Sequence, residues 1–148
     1  SAQMQGAFLP AAQMQGANLF DGQMQGAILF AAQMQGADLG EAQMQEAILF
    51  AAQMNENTSL LQATLRGARW REVDLSNVGL SKEQIKSTFG DASVLLPGGN
   101  GPGSKDWPDH WPVWQLPIFE DNDYSFAAET KKWRADPENY APPPPPAK

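Results

Sequence analysis

Apolar side chains recur at every fifth residue through the first third of the chain. From Met4 to Met54 each fifth position is Met or Leu, and the residue two places before it is Ala, or once Gly. In an α-helix a step of five residues turns about 140°, so these positions would form no buried stripe. In an extended segment, residues two apart point to the same side. The pattern therefore predicts short extended segments with Ala and Met or Leu inside.

A longer period indicates how these segments are arranged. The run AILFAAQM at residues 27–34 returns unchanged at residues 47–54, 20 residues later. Four five-residue units in each turn of a stack would produce this echo. Packing physics alone would also allow three units in each turn, but the echo favours four.

The five-residue spacing continues past one irregular step. Between Met54 and Leu60 the spacing is six residues, which predicts a bulge at a corner within residues 55–59. We expect Trp70, the largest central residue, to swell its side of the turn or to face outward. Sixteen repeats make four turns, and their central residues are Met4, Leu9, Met14, Leu19, Met24, Leu29, Met34, Leu39, Met44, Leu49, Met54, Leu60, Leu65, Trp70, Leu75 and Leu80.

The repeat unit resembles that of the pentapeptide-repeat family. Ala17-Asn18-Leu19 and Ala37-Asp38-Leu39 match the family's Ala, polar residue, Leu motif directly. The resemblance implies an all-β fold, a right-handed quadrilateral parallel β-helix of about four coils over residues 1–80. Residues 90–97 and 110–112 are also similar to the C-terminal flank of many bacterial members.

Residues 81–96 are predicted to cap the stack. Ser81 and Gln84 form a capping-box pattern, so a short helix should begin there and continue to about Thr88. We expect this helix to cover the exposed backbone edge of the last turn. At the other end, Ser1 lies directly inside a repeat. Either that edge pairs with another chain or the native sequence continues upstream, and we favour the second.

Residues 97–148 differ in composition from the repeats. Residues 97–104 are a Gly-rich linker, and the Trp- and Pro-rich tail that follows is predicted to be extended. Ser125 is a candidate N-cap for a second short helix that ends near Ala135, with Pro137 beyond it. We expect the polyproline end, residues 142–146, to be disordered, although such segments can also bind aromatic grooves.

Charge and composition exclude several functions. The net charge is −7, and the first 54 residues contain no Lys or Arg, so direct nucleic-acid binding is not expected. No apolar run is long enough to span a membrane, which makes a soluble, cytoplasmic protein the default expectation. There is no Cys, and His110 is the single His, expected at the surface. We therefore expect no metal site, no cofactor, no catalytic residues and no enzyme activity.

One face of the predicted stack is apolar. The equivalent columns on the sides with a central Met are mostly Gln, for which we expect hydrogen-bonded ladders. An apolar face of several hundred Å² normally marks a binding surface. The two outward columns, here called the apolar strip, are Phe8, Ile28 and Ile48 beside Pro10, Phe30 and Phe50.

The strip has two candidate occupants. The first is the tail itself, through Trp107, Trp111 and Trp114, within one chain or swapped between two. The second is a protein partner. If the tail runs along the strip, Glu120, Asp121 and Asp123 could pair with Arg69 and Arg71.

The favoured function is a non-enzymatic structural or protein-interaction module. The alternative comes from the resemblance: some pentapeptide-repeat proteins are acidic DNA mimics that bind and inhibit DNA gyrase as dimers. The modest charge and the interrupted acidic columns favour the interaction module.

Overall fold

Parallel backbone bridges join residues that lie 20 positions apart. The structure is a computed structural model and describes residues 1–119 and 124–147. Each of the first four bridges starts five residues after the bridge before it. The chain therefore returns to the same place after four five-residue units. We call each return a coil and each unit a side. The bridges between the first two coils are Gln3–Gln23, Phe8–Ile28, Gln13–Gln33 and Asn18–Asp38.

The chain turns each corner through a left-handed residue two places after the central Met or Leu. The first four sides with a central Met use Gly there, as at Gly26 (φ 68°). Neighbouring sides use other residues, as at Ala31 (φ 54°). A non-Gly residue in this region costs about 1 kcal/mol, so the hydrogen-bonded ladder between coils must hold the corner. Each corner also closes a local bond, such as Ala27 N–H to the Met24 carbonyl at 3.1 Å.

The interior of the stack contains the central residues and the Ala that precede them. The prediction that these side chains point inward is confirmed from Met24 to Leu49, all of which are fully buried. In the first coil, Met4, Leu9 and Met14 are partly buried against the same core. Trp70 is only 1% exposed, so the outward position, one of its two expected placements, is wrong.

The six-residue step forms the predicted irregular corner. Thr58 Oγ donates to the Met34 carbonyl at 2.9 Å, and the Asn55 side-chain oxygen accepts from Gly36 N–H at 3.1 Å. These bonds compensate for the interrupted ladder. The bridges that cross this step, such as Asp38–Ser59 and Gln43–Thr64, join residues 21 apart. Strands β1, Ile48–Phe50, and β2, Arg69–Arg71, pair in parallel across it, with Leu49 opposite Trp70.

The stack continues beyond Leu80 into a fifth, partial coil. Helix α1, Lys82–Lys86, has the predicted Ser81–Gln84 capping box, and its Ile85 is buried in the core. The helix takes the place of one side of this coil. Its Gln84 side chain also covers part of the backbone edge, as expected of a cap, by donating to the Leu60 and Ala63 carbonyls at 2.8 and 3.0 Å. Parallel bridges Arg69–Phe89 and Asp74–Leu95 complete two more sides, so residues 87–96 belong to the stack. A 3-10 helix, Pro97–Gly99, follows.

The tail packs against this last coil. Helix α2, Phe126–Ala135, has Ser125 as its N-cap, as predicted, and Phe126 and Trp133 are both buried. Pro143 is also buried, so the packed part of the tail extends to the second proline of residues 142–146, which were expected to be disordered. None of the helices within the described residues has the length and apolar character needed to cross a membrane.

Candidate interaction surface

The two predicted columns of the apolar strip line up, but their exposure changes along the stack. The bridges Phe8–Ile28 and Ile28–Ile48 place three of the side chains one above another. Phe8 is 70% exposed and Phe30 is 50% exposed. Pro10 is also exposed, whereas Ile28 and Ile48 are half-buried. The strip is therefore open over the first two coils.

In the part of the tail that the structure describes, the strip is covered where it reaches the third coil. The half-buried Phe50 ring meets the Phe126 ring of α2 edge to face, with centroids 5.2 Å apart. Phe50, Trp114 and Tyr140 pack against a cluster formed by Phe89, Leu116, Phe126 and Trp133. The prediction that residues 107–119 run along the whole strip within one chain is therefore wrong, because α2 is the main cover and it stops at Phe50.

Two arginines continue the strip into the fourth coil, as the repeat predicts. Arg69 is paired with Ile48 in the ladder, and Arg71 with Phe50. Burial, followed by the nearby Arg134 guanidinium, lowers the pKa of Arg69 to about 10. The acidic partners proposed from the sequence, Glu120, Asp121 and Asp123, lie outside the described residues.

Asp91 joins the last coil to the tail. One carboxylate oxygen lies 3.4 Å from Arg71 and accepts a hydrogen bond from Leu116 N–H at 2.9 Å. Its other oxygen accepts from the Ser93 N–H and hydroxyl. Asp91 is fully buried, and Arg71 also lies over the Phe126 ring at 5.5 Å. One buried ion pair thus holds both the coil and the tail.

Trp111 and Trp107 close the end of the stack. The Trp111 ring lies directly over Gly90, so that a Cβ added there would be 2.7 Å from the ring. Its indole N–H donates to the Thr88 carbonyl at 2.9 Å. Trp107 packs edge to face on Trp111 at 5.3 Å, and both belong to the main core. These two residues serve the interior of the stack and not the apolar strip.

His110 is half-buried, which differs from the expected surface position. Its ring stacks on Trp133 with centroids 5.1 Å apart, and Nε2–H donates to the Thr88 carbonyl at 2.6 Å. Burial lowers the pKa of His110, while the Thr88 carbonyl and Asp109 act in the opposite direction. His110 therefore helps to join α2 to the last coil.

Trp114 is the one predicted tryptophan that reaches the Phe50 cluster. Its indole N–H donates to the Pro143 carbonyl at 2.9 Å, and its own carbonyl accepts from Ala92 N–H at 3.3 Å. Asp91 and Phe89 are two important residues that were not among the predicted site residues. Extending the 20-residue period past Leu80 would have placed them in the columns of Arg71 and Arg69.

The Gln columns are bonded diagonally where straight ladders were expected. Gln25 donates to Gln43 at 2.6 Å and Gln35 to Gln53 at 2.9 Å, both across 18 residues. The backbone bridges, in contrast, join Gln residues 20 apart. These sides therefore present a polar surface whose side-chain amides are bonded between coils, while the Gln25 and Gln35 side-chain oxygens have no protein partner.

A cleft beside α1 is lined by both acidic and basic side chains. The cleft has a volume of about 550 Å³ and lies between α1 and residues 105–110, with Lys86 and Lys105 at its rim. Lys82 pairs with Asp106 at 3.6 Å in an exposed contact. Across the described residues, no three His, Cys, Asp or Glu side chains are grouped to hold a metal ion. The apolar strip is thus the surface whose chemistry is most distinctive.

Comparison with protein-family models gives no match, and comparison with curated proteins gives none either. Among solved structures, HetL, a pentapeptide repeat protein involved in heterocyst differentiation regulation from the cyanobacterium Nostoc sp. strain PCC 7120, is 21% identical with a TM-score of 0.36. The match covers 76% of this chain and 62% of HetL.

Two further solved structures are also pentapeptide repeat proteins. One, from the cyanobacterium Cyanothece 51142, is 22% identical with a TM-score of 0.30, and the match covers 73% of this chain and 60% of that one. The other, from the Arabidopsis thaliana thylakoid lumen, is 22% identical with a TM-score of 0.25, and coverage is 66% and 86%. This chain spans about three fifths of the first two proteins. The five-residue sides and the 20-residue bridges of this chain confirm the predicted pentapeptide repeat.

Proposed function

We propose that this chain is a non-enzymatic protein-interaction module, a right-handed four-sided β-helix that binds a partner protein through the open part of the apolar strip. The open part consists of Phe8, Pro10, Ile28 and Phe30. The observation that carries the proposal is the exposure of two stacked phenylalanine side chains, 70% at Phe8 and 50% at Phe30, on a regular ladder.

The energetics favour binding at this surface. Burying a large apolar side chain contributes about 1.5–3 kcal/mol, so two phenylalanines and their neighbours would supply a small hot spot. The ladder already orders the backbone beneath them, which lowers the entropy cost of association. The complementary partner surface is apolar and carries little charge, because the open part contains no ionisable side chain.

Catalysis has no comparable support. The single histidine, His110, is engaged with Trp133 and Thr88. The buried carboxylate Asp91 is paired with Arg71 and bonded to backbone. The Ser93 hydroxyl that donates to Asp91 also accepts from a backbone N–H at 2.8 Å, so it is engaged in holding the local turn, and no acid–base pair is proposed.

The DNA-mimic alternative has less support than the interaction module. Mimicry of a duplex requires columns of carboxylates, whereas the open strip is apolar and the sides with a central Met present bonded Gln. We expect no inhibition of DNA gyrase. A supercoiling assay tests this directly, and strong inhibition at sub-micromolar protein would favour the mimic instead.

Site-specific photo-crosslinking tests the proposed surface. p-Benzoylphenylalanine placed at Phe30 in the full chain should capture one discrete protein species in the native host. The same group at Gln33, on the adjacent polar side, should not. The mass of the adduct separates a second copy of this chain from a different protein. Equal crosslinking from both positions, or none from Phe30, would contradict the proposal.

A substitution pair tests whether the same side chains contribute affinity. Phe8→Asp with Phe30→Asp should abolish the adduct formed from a crosslinker at Ile28, because two desolvated charges oppose burial. The far-ultraviolet spectrum and the unfolding midpoint should stay unchanged, since both phenylalanines are exposed.

A further inference from the structure

The start of the C-terminal proline run lies at a site formed by Trp114 and Tyr140, here called the Trp114–Tyr140 seat. The Trp114 indole N–H donates to the Pro143 carbonyl at 2.9 Å, and Pro143 is buried. Pro142 is half-buried, whereas Pro144, Pro145 and Pro146 are exposed. Two residues of the run are therefore bound, and the remainder leaves the surface.

The seat is held by the stack and by α2. Trp114 is fixed through its carbonyl to Ala92 N–H, beside the buried Asp91. Tyr140 packs on Phe89 at 6.0 Å, and its hydroxyl donates to Glu129 of α2 at 3.0 Å. Because both aromatic residues are held by other parts of the molecule, the seat does not depend on the prolines for its shape.

These contacts match the chemistry by which proteins recognise polyproline. A polyproline II segment has no internal hydrogen bonds, so its carbonyls are free to accept, and its ordered backbone costs little entropy to bind. The Trp114 indole provides the N–H donor, and Tyr140, which lines the same groove as Pro143, provides the flat apolar surface that such a segment requires.

There is also room beside the bound prolines. A groove of about 360 Å³ adjoins Pro143 and is lined by Glu129, Lys132, Asp136 and Tyr140. This volume lies within the range of sites that hold small ligands. A longer segment could therefore make contacts that the chain's own run does not make.

We propose that the Trp114–Tyr140 seat is a polyproline-binding site that accepts a proline-rich segment of another protein in place of the chain's own residues 142–143. Residues 142–143 of the same chain compete with that segment for the site. Because they are tethered, their effective concentration is in the millimolar range. This site is separate from the open apolar strip, so the proposal does not depend on the function proposed above.

Full-length variants and a labelled peptide test the proposal. The probe is a fluorescein-labelled heptapeptide copied from residues 141–147, with binding measured by anisotropy. The double substitution Pro142→Gly and Pro143→Gly weakens the binding of the chain's own proline run to the site without shortening the chain. This variant should bind the probe at least tenfold more tightly than the unaltered protein. A peptide with Ser in place of every Pro should not bind.

Trp114→Phe in the Gly-substituted chain is the decisive control. It keeps an aromatic ring but removes the N–H donor, and we expect about tenfold weaker binding, equivalent to about 1.4 kcal/mol. The unfolding midpoint checks that the variant is folded. In the chain that keeps Trp114, the indole N–H resonance of this residue should shift on titration with the probe.

Two results would overturn the inference. One is failure of the Gly-substituted chain to bind the probe at millimolar concentration, with the protein folded. The other is equal binding with and without the Trp114 indole N–H, which would show that the probe sits elsewhere. Crosslinking at Phe30 could succeed or fail in either case, so the two proposals remain distinguishable.

Discussion

The first two coils and the last coil have the same repeat geometry but opposite relations to the tail. In the first two coils the apolar strip is open, with Phe8 and Phe30 exposed. In the last coils the same columns continue as Arg69 and Phe89, and as Arg71 and Asp91, all covered by the tail. The backbone ladder is nearly identical at both levels, so the side chains in the columns must decide where the tail binds.

The comparison teaches that apolar surface alone did not select the tail's position. Among the described residues, the tail contacts the strip at Phe50, where Arg69 from the next coil also approaches. There it gains a hydrogen bond from the Leu116 N–H to the ion-paired Asp91, a contact between the Phe126 ring and Arg71, and an aromatic cluster. Directional polar contacts need matched partners, and the first two coils offer none to the tail.

The strongest way to break the difference is to remove Asp91. Asp91→Ala should destabilise the protein by about 3–5 kcal/mol, because it leaves Arg71 buried without its partner and Leu116 N–H without an acceptor. Asp74→Ala is the matched control, since Asp74 accepts from Ser76 N–H at 2.9 Å as Asp91 does from Ser93. Urea unfolding followed by Trp emission compares them, and equal losses would contradict the assigned role of the ion pair.

A smaller effect is expected from filling the space at Gly90. In Gly90→Ala the new methyl would lie 2.7 Å from the Trp111 ring, so the ring must move, at a cost of about 1–3 kcal/mol. Gly79→Ala is the control, because nothing lies within 4 Å of its added Cβ and its φ is not left-handed. The near-ultraviolet circular dichroism of the tryptophans should change only at Gly90. An unchanged spectrum in both variants would contradict the packing of Trp111 there.

The covered and open parts of the strip can be compared with one substitution at each level. Phe50→Ser should loosen α2 by about 1–2 kcal/mol, because it removes the edge-to-face contact with Phe126. Phe30→Ser should change stability by less than about 0.5 kcal/mol, as for an exposed position. The readout is the rate of tryptic cleavage at Lys131 in α2. Faster cleavage in both variants would show that the tail extends further along the strip.

The smallest expected effect is a pH dependence of tail packing through His110. Burial lowers the pKa of His110 from its ordinary value of 6.5, so the unfolded chain binds a proton more tightly than the folded one. Its contribution to stability is therefore complete above pH 6.5 and is lost as the pH falls through the folded value. His110→Gln should reduce the slope of the unfolding free energy between pH 7 and pH 5. An identical slope in both proteins would contradict this role for His110.

Several parts of the fold could be predicted because they depend on local spacing. Ala and Leu two apart must share a face, and the repeat of residues 27–34 at 47–54 sets the 20-residue return. The capping box at Ser81 and the N-cap at Ser125 were also found, since each depends on residues three apart. The right-handed turn of the coil stays a prediction that follows from the resemblance.

Trp70 shows where local reasoning failed. Its size suggested either a swollen side of the coil or an outward position, and its burial rules out the outward one. In the next coil the equivalent position is Gly90, which has no side chain and admits Trp111 from the tail. What stacks above a central position thus depends on the residue 20 positions later and on the tail, which no local pattern around Trp70 specifies.

The sequence by itself determined the repeat, the inward central residues, the apolar strip and the two capped helices, because each depends on spacing within one coil or one turn. Only the tertiary structure decided that Asp91 pairs with Arg71, that Trp111 closes the stack over Gly90 and that Pro143 lies on Trp114. These contacts join segments between 20 and 29 residues apart. Buried charges and buried backbone carbonyls need hydrogen-bond or ionic partners, and large rings need space in the core. Residues far away in the sequence supply these, so no local pattern specifies them.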